Sequence, residues 1–557
     1  MRQTFLLCLA ALGGATPLLA QPFVTQRGIV SAASLAPWGS PGGAIARGSV
    51  FSIYGTGLGP TTSPPLTSFP LSTTLGGVSI KVSSPDGSTS VAAIPLFVSP
   101  AQINAVMPSN TPLGMVSLVV TYNGQKGNPS PVKVSNSSFG TYAASGAGFG
   151  PGILQNFNSS LDQPINSLTV SAQPGQVITL WGTGLGPVGF PDNVAPTAGN
   201  LPTPVEVFVG GKSAPLLYSG RSPCCAGTDQ IAFSVPNDAP MGCWVPVQIR
   251  TEGSTVSNTV TMAIAPTANS ACSEPGNPIA AKFATGARLG WIDLYRIAER
   301  WKRAQYTVDT TLDSVSATYR KETGGQFAYN PLYSLPPVGS CTTYAGQGNF
   351  FASDPVPGSQ YATTGMDAGA QITVGPQRVA QPKSLTAPSS PLAFFQTGLI
   401  KWPSSNLALN PGTLSVQDSG GADVGPFNMS VAIPSPLTWT NRDQIPPAID
   451  RTQPLTVTFS GVPSGHTVIV MGGFYSTSIN ATGLFTCTAP GTATSFTIPS
   501  YILASIPTVG LRDRTPAMGL LIVGSAPLSN PLTFSASGLD YGAVLLTVLS
   551  AKTAVYR

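Results

Sequence analysis

The sequence predicts an all-β protein: two tandem β-sandwiches followed by a larger β-sandwich-like domain. One observation is a repeated phrase, since Gly48–Pro60 reads GSVFSIYGTGLGP and Gly175–Pro187 reads GQVITLWGTGLGP, 127 residues later. A second is that short apolar runs alternate with glycine and proline throughout the chain. A third is the composition, in which 61 Gly and 55 Pro leave little room for long helices.

The repeat extends beyond this phrase. Five further positions recur 128 residues on, with Gln102, Ile103, Pro108, Pro112 and Gly114 returning as Gln230, Ile231, Pro236, Pro240 and Gly242. A unit of about 120 residues has therefore been duplicated. The second copy carries eight extra residues around Arg221–Thr228, because Pro95 matches Pro215 at a spacing of 120. We interpret this insertion as a disulfide-stapled loop, with a binding loop as the alternative.

Charged residues make up 8% of the chain, against about 25% in an average soluble protein. The formal net charge of +5 is spread over 557 residues, so it does not predict nucleic-acid binding, which needs basic residues concentrated on one face.

The first 20 residues have the pattern of a secretory signal peptide. Met1-Arg2-Gln3 precedes an apolar run from Phe5 to Ala20, and we expect cleavage after Ala20. No later stretch has the roughly 20 unbroken apolar residues of a membrane helix. The mature protein is therefore expected to be exported and soluble, secreted or at the cell surface, with no transmembrane segment.

Six cysteines remain after Cys8 is removed with the signal peptide: Cys224, Cys225, Cys243, Cys272, Cys341 and Cys487. An even number in an exported chain favours disulfides over metal or redox chemistry. Because a bond between adjacent cysteines closes a small strained ring, we expect Cys224 and Cys225 to pair with Cys243 and Cys272, in an order left open. Cys341 is expected to pair with Cys487.

Each repeat contains several runs typical of strands. The first run of each copy, at Val50–Tyr54 and Val177–Trp181, is expected to be covered on both faces, with Tyr54 and Trp181 in the core. The other runs are Gly77–Val82, Val116–Tyr122, Val205–Val209, Ile231–Val235, Val245–Arg250 and Val256–Ile264. About seven short strands per hundred residues is the pattern of an antiparallel sandwich.

These residues carry a family resemblance. A glycine-led strand into GTGLG, the V-x-V-x-V-G-G run at Val205–Gly211, then QI, a V-P pair and Pro-x-Gly resemble the immunoglobulin-like IPT/TIG domain. The tandem form is similar to the paired Solibacter-type domain of secreted bacterial proteins. The resemblance implies a first Ig-like repeat at 21–140 and a second at 141–266, then a linker at 267–282 and a C-terminal β-rich domain at 283–557.

The C-terminal domain is also predicted to be β-rich. Trp291–Trp301 fits both helical and strand spacing, and we favour a strand because Ile292, Leu294 and Arg296 alternate. Further strand-like runs are Gln371–Val374, Asn428–Ile433, Leu455–Phe459, Val468–Met471, Ser495–Ile498, Gly519–Val523 and Ala543–Leu549. Phrases such as PPVGSC at Pro336–Cys341 and LTWTN at Leu437–Asn441 resemble a β-rich module that accompanies the paired domain and has no assigned activity.

Catalytic motifs are weak in this sequence. His466 is the one histidine and is interpreted as structural or solvated, since a nucleophile-histidine site or a zinc site needs more. GTGLG resembles half of a dinucleotide fingerprint, but Pro60 and Pro187 follow it, so no helix is expected to start there. We therefore predict no cofactor and no metal site.

Two pairs of carboxylates and one basic run are candidate sites. Asp418 with Asp423, and Asp309 with Asp313, could serve glycoside hydrolysis or calcium binding. The basic and aromatic run at Arg288–Arg303 is interpreted as a solvated element at a domain junction. Trp402 and Trp439 are expected to be exposed and are candidate sugar platforms.

The sequence thus favours an exported, non-enzymatic binding or structural module whose ligand is an unknown protein or glycan. The alternative is a secreted polysaccharide-active or carbohydrate-binding protein with its site in the C-terminal β domain.

Overall fold

The structure is a computed structural model that describes residues 21–66, 68–303, 306–331, 333–347, 363–375, 377–380, 409–476, 479–508 and 519–557. Within these residues the chain forms β-sheets of three to ten strands and two short helices. The predicted all-β fold class is confirmed. The predicted signal peptide, residues 1–20, lies outside the described residues.

The first repeat forms a ten-stranded sheet that folds over on itself. Its strands are β1 (Phe23–Ser31), β2 (Ile45–Ala46), β3 (Val50–Thr56), β4 (Thr74–Leu75), β5 (Val78–Ser83), β6 (Ser90–Val98), β7 (Gln102–Val106), β8 (Gly114–Tyr122), β9 (Gln125–Lys126) and β10 (Ser130–Ser135). Their order is β1-β3-β7-β6-β5-β8-β10-β2, with β4 on β5 and β9 on β8.

Strand β6 makes the fold a sandwich. Its first half pairs with β5, and its second half pairs with β7, with a register shift between Pro95 and Phe97. The sheet therefore passes from one layer to the other. Phe51 and Ile53 from one layer share a core with Ile80 and Val82 from the other, which buries both inner faces.

The second repeat forms two separate sheets. Its strands are β11 (Gly140–Thr141), β12 (Leu154–Asn156), β13 (Val177–Thr183), β14 (Gly199–Asn200), β15 (Val205–Val209), β16 (Lys212–Ala214), β17 (Leu216–Arg221), β18 (Asp229–Ser234), β19 (Gly242–Thr251), β20 (Thr255–Val256) and β21 (Val260–Ile264). One sheet has the order β11-β13-β18-β17-β14 with β12 on β13, and the other β16-β15-β19-β20 with β21 on β19. Ile178 and Phe233 of the first sheet pack with Val207 and Ile249 of the second.

No helix follows GTGLG in either repeat, as predicted, because the loop after each strand returns to the sheet. In the second repeat the backbone N–H groups of Gly184 and Leu185 donate to Asp229 Oδ2 at 2.7 and 2.8 Å. Gly184 has a φ of +107°, a conformation that favours glycine. In the first repeat the N–H of Leu58 donates instead to the Pro100 carbonyl, at 3.0 Å.

The predicted linker at 267–282 ends in a helix, α1 (Pro278–Thr285). Ile279 and Ala280 of this helix are 2% and 0% exposed. This part of the segment is therefore packed, because its apolar side chains lie against the sheet that follows.

The C-terminal region holds the remaining strands and a second short helix. They are β22 (Ala287–Arg303), β23 (Tyr306–Glu322), β24 (Cys341–Gln347), β25 (Thr363–Gly365), β26 (Gln371–Val374), β27 (Gln377–Ala380), β28 (Gly412–Asp418), β29 (Phe427–Ile433), β30 (Thr438–Trp439), β31 (Ala448–Ile449), β32 (Leu455–Ser460), β33 (Thr467–Ser476), β34 (Ala481–Ala489), β35 (Ser495–Ile498), α2 (Ser500–Ala504), β36 (Gly519–Ala526), β37 (Leu532–Phe534) and β38 (Tyr541–Tyr556). The run at Trp291–Trp301 is thus a strand, as favoured from its alternation.

A ten-stranded sheet organises this region, with the order β24-β34-β33-β36-β38-β22-β23-β25 and with β31 and β37 on β38. A four-stranded sheet, β27-β26-β28-β29, packs on one end of it, where Ile292 and Leu294 meet Ile372 and Val416. A three-stranded sheet, β30-β32-β35, contributes Val457 to the core at the other end.

The second repeat packs against the C-terminal region through Trp244. This side chain is fully buried in a cluster with Phe149, Tyr329 and Tyr344. Its indole Nε1 donates to the Ala328 carbonyl at 3.0 Å. This junction places Phe149 of the second repeat beside the large sheet.

Candidate functional site

The two faces of the large sheet are covered differently. Even-numbered residues of β22, such as Ile292 and Leu294, pack against the four-stranded sheet. The odd-numbered residues Asp293, Tyr295 and Ile297 point to the opposite face, because successive side chains of a strand alternate. Leu545, Thr547 and Leu549 of β38 lie opposite these three residues in register and share that face.

This second face is the floor of a cavity of about 210 Å³. Strands β22, β24, β33, β34, β36 and β38 all contribute to its lining. The walls come from Phe149 of the second repeat, from Asn277 and Ile279 at the start of α1, and from Pro331, Tyr333 and Leu335. The cavity therefore lies where three parts of the chain meet.

The segment over the cavity is held in place by Tyr333. Its ring lies 4.3 Å from that of Trp291, centroid to centroid. Its backbone carbonyl accepts a hydrogen bond from Asn277 Nδ2 at 2.6 Å. These contacts hold Tyr333 against both the sheet and the start of α1, so this wall of the cavity is fixed in place.

Most of the cavity surface is apolar. The aliphatic side chains that line it include Ile297, Ile469, Met471, Leu484, Ile522, Leu545 and Leu549. Cavities lined in this way stay dry when empty and take apolar molecules, and a largely apolar cavity with a few polar groups is the usual form of a small-molecule site.

Asp293 is the most buried acidic group of the cavity, 8% exposed. Within the described residues, the hydrogen bond to its carboxylate comes from Ser316 Oγ, at the long distance of 3.5 Å. Burial raises the pKa of Asp293 to about 7, since the surroundings disfavour the charged form. The carboxyl group is thus placed in an apolar cavity with capacity for another hydrogen bond.

Glu299 lies two positions beyond Ile297 on the same face and also lines the cavity. Burial raises the pKa of the Tyr295 hydroxyl, and the negative charge of Glu299 raises it further. The cavity thus combines an apolar floor with carboxyl and phenol groups. This arrangement can bind a small molecule, and the described residues contain no group of three metal-ligating side chains.

The cysteine pairing corrects part of our prediction. Cys224 bonds to Cys225, and Cys243 bonds to Cys272. The expected cross-pairing is wrong because the insertion holding Cys224 and Cys225 folds onto the first repeat, where Ala226 packs with Val50 and Val106. Cys243 instead faces the C-terminal region, in the cluster around Trp244.

Cys341 is bonded to Cys487, as the sequence predicted. The two residues lie directly opposite each other on β24 and β34. Both side chains are buried in the core below the large sheet, so this disulfide is structural.

The two carboxylate pairs are engaged in local contacts. Asp418 accepts hydrogen bonds from the Tyr319 hydroxyl at 2.9 Å and from the Gly420 N–H at 2.8 Å. Asp423 accepts one from the Asp367 N–H at 2.7 Å. Asp309 and Asp313 form ion pairs with Arg300 and Arg296, at 2.7 and 2.6 Å.

The same ion pairs account for the basic run. Arg288 pairs with Asp540 at 2.8 Å, and Arg300 also reaches Asp443 at 2.6 Å. The interpretation as a solvated element is nevertheless wrong, because β22 is an inner strand of the large sheet and its residues Leu289, Trp291 and Leu294 are buried. The side chains of Trp301, Lys302 and Arg303 lie outside the described residues.

His466 is half-buried and lies 3.1 Å from Ser525, between Nδ1 and Oγ. Burial lowers its pKa. Ser525 is on β36, beside the strand that His466 precedes. This contact ties the entrance of one strand to its neighbour, which fits the structural interpretation.

The expectations for tryptophan need correction. Trp439 was expected to be exposed, but it is buried, with 6% of its surface accessible, because it packs in the core with Phe459. Tyr54 is 36% exposed rather than in the core. Its counterpart Trp181 is half-buried and donates from Nε1 to Gln155 Oε1 at 2.7 Å. Both residues point away from the sandwich interior. Trp402 lies outside the described residues.

Sequence reasoning missed the cavity residues Asp293, Tyr295 and Glu299. A signal was present, because the acidic residues of Arg288–Arg303 stand at odd positions and Arg288, Arg296 and Arg300 at even ones. On a strand this places Asp293 and Glu299 on the face opposite these three arginines. The sequence could not show that the face with the odd-numbered residues is covered, since the covering segments are distant in the chain.

Neither a protein-family model nor a curated protein sequence matches the chain. No described helix is long and apolar enough to cross a membrane.

Several solved structures show a weak likeness. A tetra-tandem repeat from the extending region of a large adhesion protein is 11% identical, covering 96% of this chain and 99% of that chain at a TM-score of 0.13. SGBP-B of a Bacteroides ovatus mixed-linkage glucan utilization locus, in complex with a heptasaccharide, is 12% identical, covering 78% of each chain at 0.13. Domains 5–6 of the S-layer protein SbsC are 11% identical, and the match covers 44% of this chain and 99% of that chain at a TM-score of 0.16. TM-scores this low carry no argument about function.

Proposed function

We propose that this chain is a non-enzymatic binding protein of the cell surface or extracellular space, built on two tandem IPT/TIG-like repeats, that holds a small, largely apolar molecule in the cavity of its C-terminal β domain. The observation that carries the proposal is the cavity of about 210 Å³ between the large sheet and the segments that cover this face. The three disulfides support a location outside the cytoplasm.

The size of the cavity sets the size of its ligand. It is larger than the engineered cavity of about 150 Å³ that binds benzene and smaller than the roughly 300 Å³ at which sites for drug-sized ligands begin. A single ring with a short substituent, or a short aliphatic chain, fits this range.

Binding of toluene and indole, measured by ligand-observed NMR and by thermal shift, tests the proposal. We expect both probes to bind and to raise the melting temperature, and to be recovered chemically unchanged. Ile522→Trp places a bulky ring on the cavity floor and is expected to abolish binding.

Leu217→Trp is the matched control, because Leu217 is 55% exposed in the second repeat. This variant is expected to bind the probes as the parent protein does. The proposal is wrong if neither probe binds the parent protein, or if Ile522→Trp binds them as well as Leu217→Trp does.

A second candidate function is carbohydrate binding in the same domain. An open groove of about 690 Å³ runs along the four-stranded sheet. Its lining includes Gln371, Thr373, Gln417 and Asn428, whose amides and hydroxyl can both donate and accept hydrogen bonds. A glycan array tests this candidate, with binding expected to weaken in Gln417→Ala. Unchanged binding in that variant would contradict it.

A further inference from the structure

We propose that the cavity is selective for a small organic ammonium ion, an amine with one ring or a short aliphatic chain, whose charged nitrogen lies at Asp293. This inference rests on the proposed function, since it requires that the cavity bind a ligand. It assigns the chemistry of that ligand from charge, aromatic groups and hydrogen-bonding capacity.

The charge of the cavity is negative. Of the described residues that line it, Asp293 and Glu299 are acidic, and no lysine, arginine or histidine is among them. Arg288, Arg296 and Arg300 of the same strand stand at even positions and so lie on the other face. Arg296 and Arg300, at even positions, are already paired with Asp313 and Asp309. A cation in the cavity would therefore be attracted by Asp293, with these two arginines on the other side of the sheet.

Asp293 offers a place for the nitrogen. It lines the cavity beside Leu545, its register partner on β38, and Ser316 is its hydrogen-bond donor at 3.5 Å. A carboxylate accepts several hydrogen bonds, so capacity remains for an N–H group. A charge-assisted bond from an ammonium would offset the desolvation of the carboxylate, and a neutral hydroxyl would do so less strongly.

Aromatic rings favour the same ligand. Phe149, Tyr295, Tyr333 and Tyr344 all line the cavity. The face of an aromatic ring attracts a cation, and recognition of ammonium groups by several rings is a common arrangement. The aliphatic floor formed by residues such as Met471 and Ile522 would hold the carbon part of the ligand.

Three ligands with the same phenyl body separate these effects. They are 2-phenylethylamine, a cation at neutral pH, 2-phenylethanol, which is neutral, and 3-phenylpropanoate, an anion. Binding is measured by isothermal titration calorimetry on the full protein at pH 7.5. We expect the amine to bind at least about tenfold more tightly than the alcohol, a difference of about 1.4 kcal/mol, and the carboxylate to bind most weakly.

The variant Asp293→Asn is expected to remove the preference for the amine while the alcohol still binds. Asp443→Asn is the matched control, because Asp443 is 62% exposed and lies outside the cavity lining, and it should keep the preference. Glu299→Gln is a second test at a less buried position. It should reduce the preference even if Asp293→Asn fails to fold.

The outcomes are distinguishable. If alcohol and amine bind the parent protein equally, or the carboxylate binds more tightly, the cavity is a ligand site but the ammonium assignment is wrong. If none of the three ligands binds and toluene also fails, the proposed function itself is wrong. If the preference survives in both Asp293→Asn and Glu299→Gln, the acidic groups are not its source, and the assignment is overturned.

Discussion

The backbone N–H of Val50 donates a 2.8 Å hydrogen bond to the hydroxyl of Thr183. These residues belong to the two copies of the repeated segment. The same hydroxyl donates to the Gly227 carbonyl at 2.6 Å, and Gly227 is in the insertion of the second repeat. One buried side chain thus joins both repeats and the loop that distinguishes them.

Thr183→Val is therefore expected to destabilise the protein by about 1–3 kcal/mol, because it leaves the buried Val50 N–H without its acceptor. Chemical denaturation measures the free energy of unfolding. Thr197→Val, at an exposed position, is the control and is expected to stay within about 0.5 kcal/mol. Equal stability of the two variants would contradict this role for Thr183.

The buried ion pair of Arg221 and Asp229 gives a second prediction. The two side chains are 3% and 0% exposed and lie 2.9 Å apart. Asp229→Ala would leave the Arg221 charge buried and the GTGLG loop without its acceptor, so we expect a loss of about 3–5 kcal/mol. Glu206→Ala breaks the more exposed pair with Arg250 and should cost about 0–1 kcal/mol. A similar cost for both, in thermal or chemical unfolding, would count against this account.

The three disulfides are expected to differ in their effect on stability. A crosslink restricts the unfolded chain more when it closes a longer loop. Separations of 146, 29 and 1 residues therefore predict the largest loss for replacing Cys341 and Cys487 with alanine, up to about 5 kcal/mol. The loss should be smaller for Cys243 with Cys272 and smallest for Cys224 with Cys225. Calorimetry of the three double variants tests this order.

Stability should also depend on pH. Burial raises the pKa of Glu274, Asp293 and Glu322 to about 7. Between about pH 4 and pH 7 the folded state then binds protons that the unfolded state releases. The free energy of unfolding is therefore expected to fall as pH rises through this window.

Thermal unfolding at about pH 5 and pH 8 measures this effect, with the higher melting temperature expected at pH 5. Asp293→Asn removes one of the three groups and should make the dependence weaker. Asp443→Asn, the exposed control, should leave it unchanged. A higher melting temperature at pH 8 would contradict the assignment.

Much of the fold could be read from local patterns. The predicted runs at Val205–Val209, Gln371–Val374 and Ser495–Ile498 have the bounds of the observed strands β15, β26 and β35. The site could not be predicted in the same way, since its walls come from Phe149, Asn277 and Tyr333, which are far apart in the sequence. No local pattern links these residues.

The sequence by itself determined the all-β class, the duplicated unit, and the alternation that separates Asp293 and Glu299 from Arg288, Arg296 and Arg300 on β22. These properties depend on neighbouring residues and on the two-residue period of a strand. The tertiary structure alone decided that Cys224 bonds to Cys225, that Tyr54 faces outward, and that the odd face of β22 is covered to form a cavity. Each of these depends on which distant segments pack together, and that is set by the summed burial of apolar surface across the whole chain.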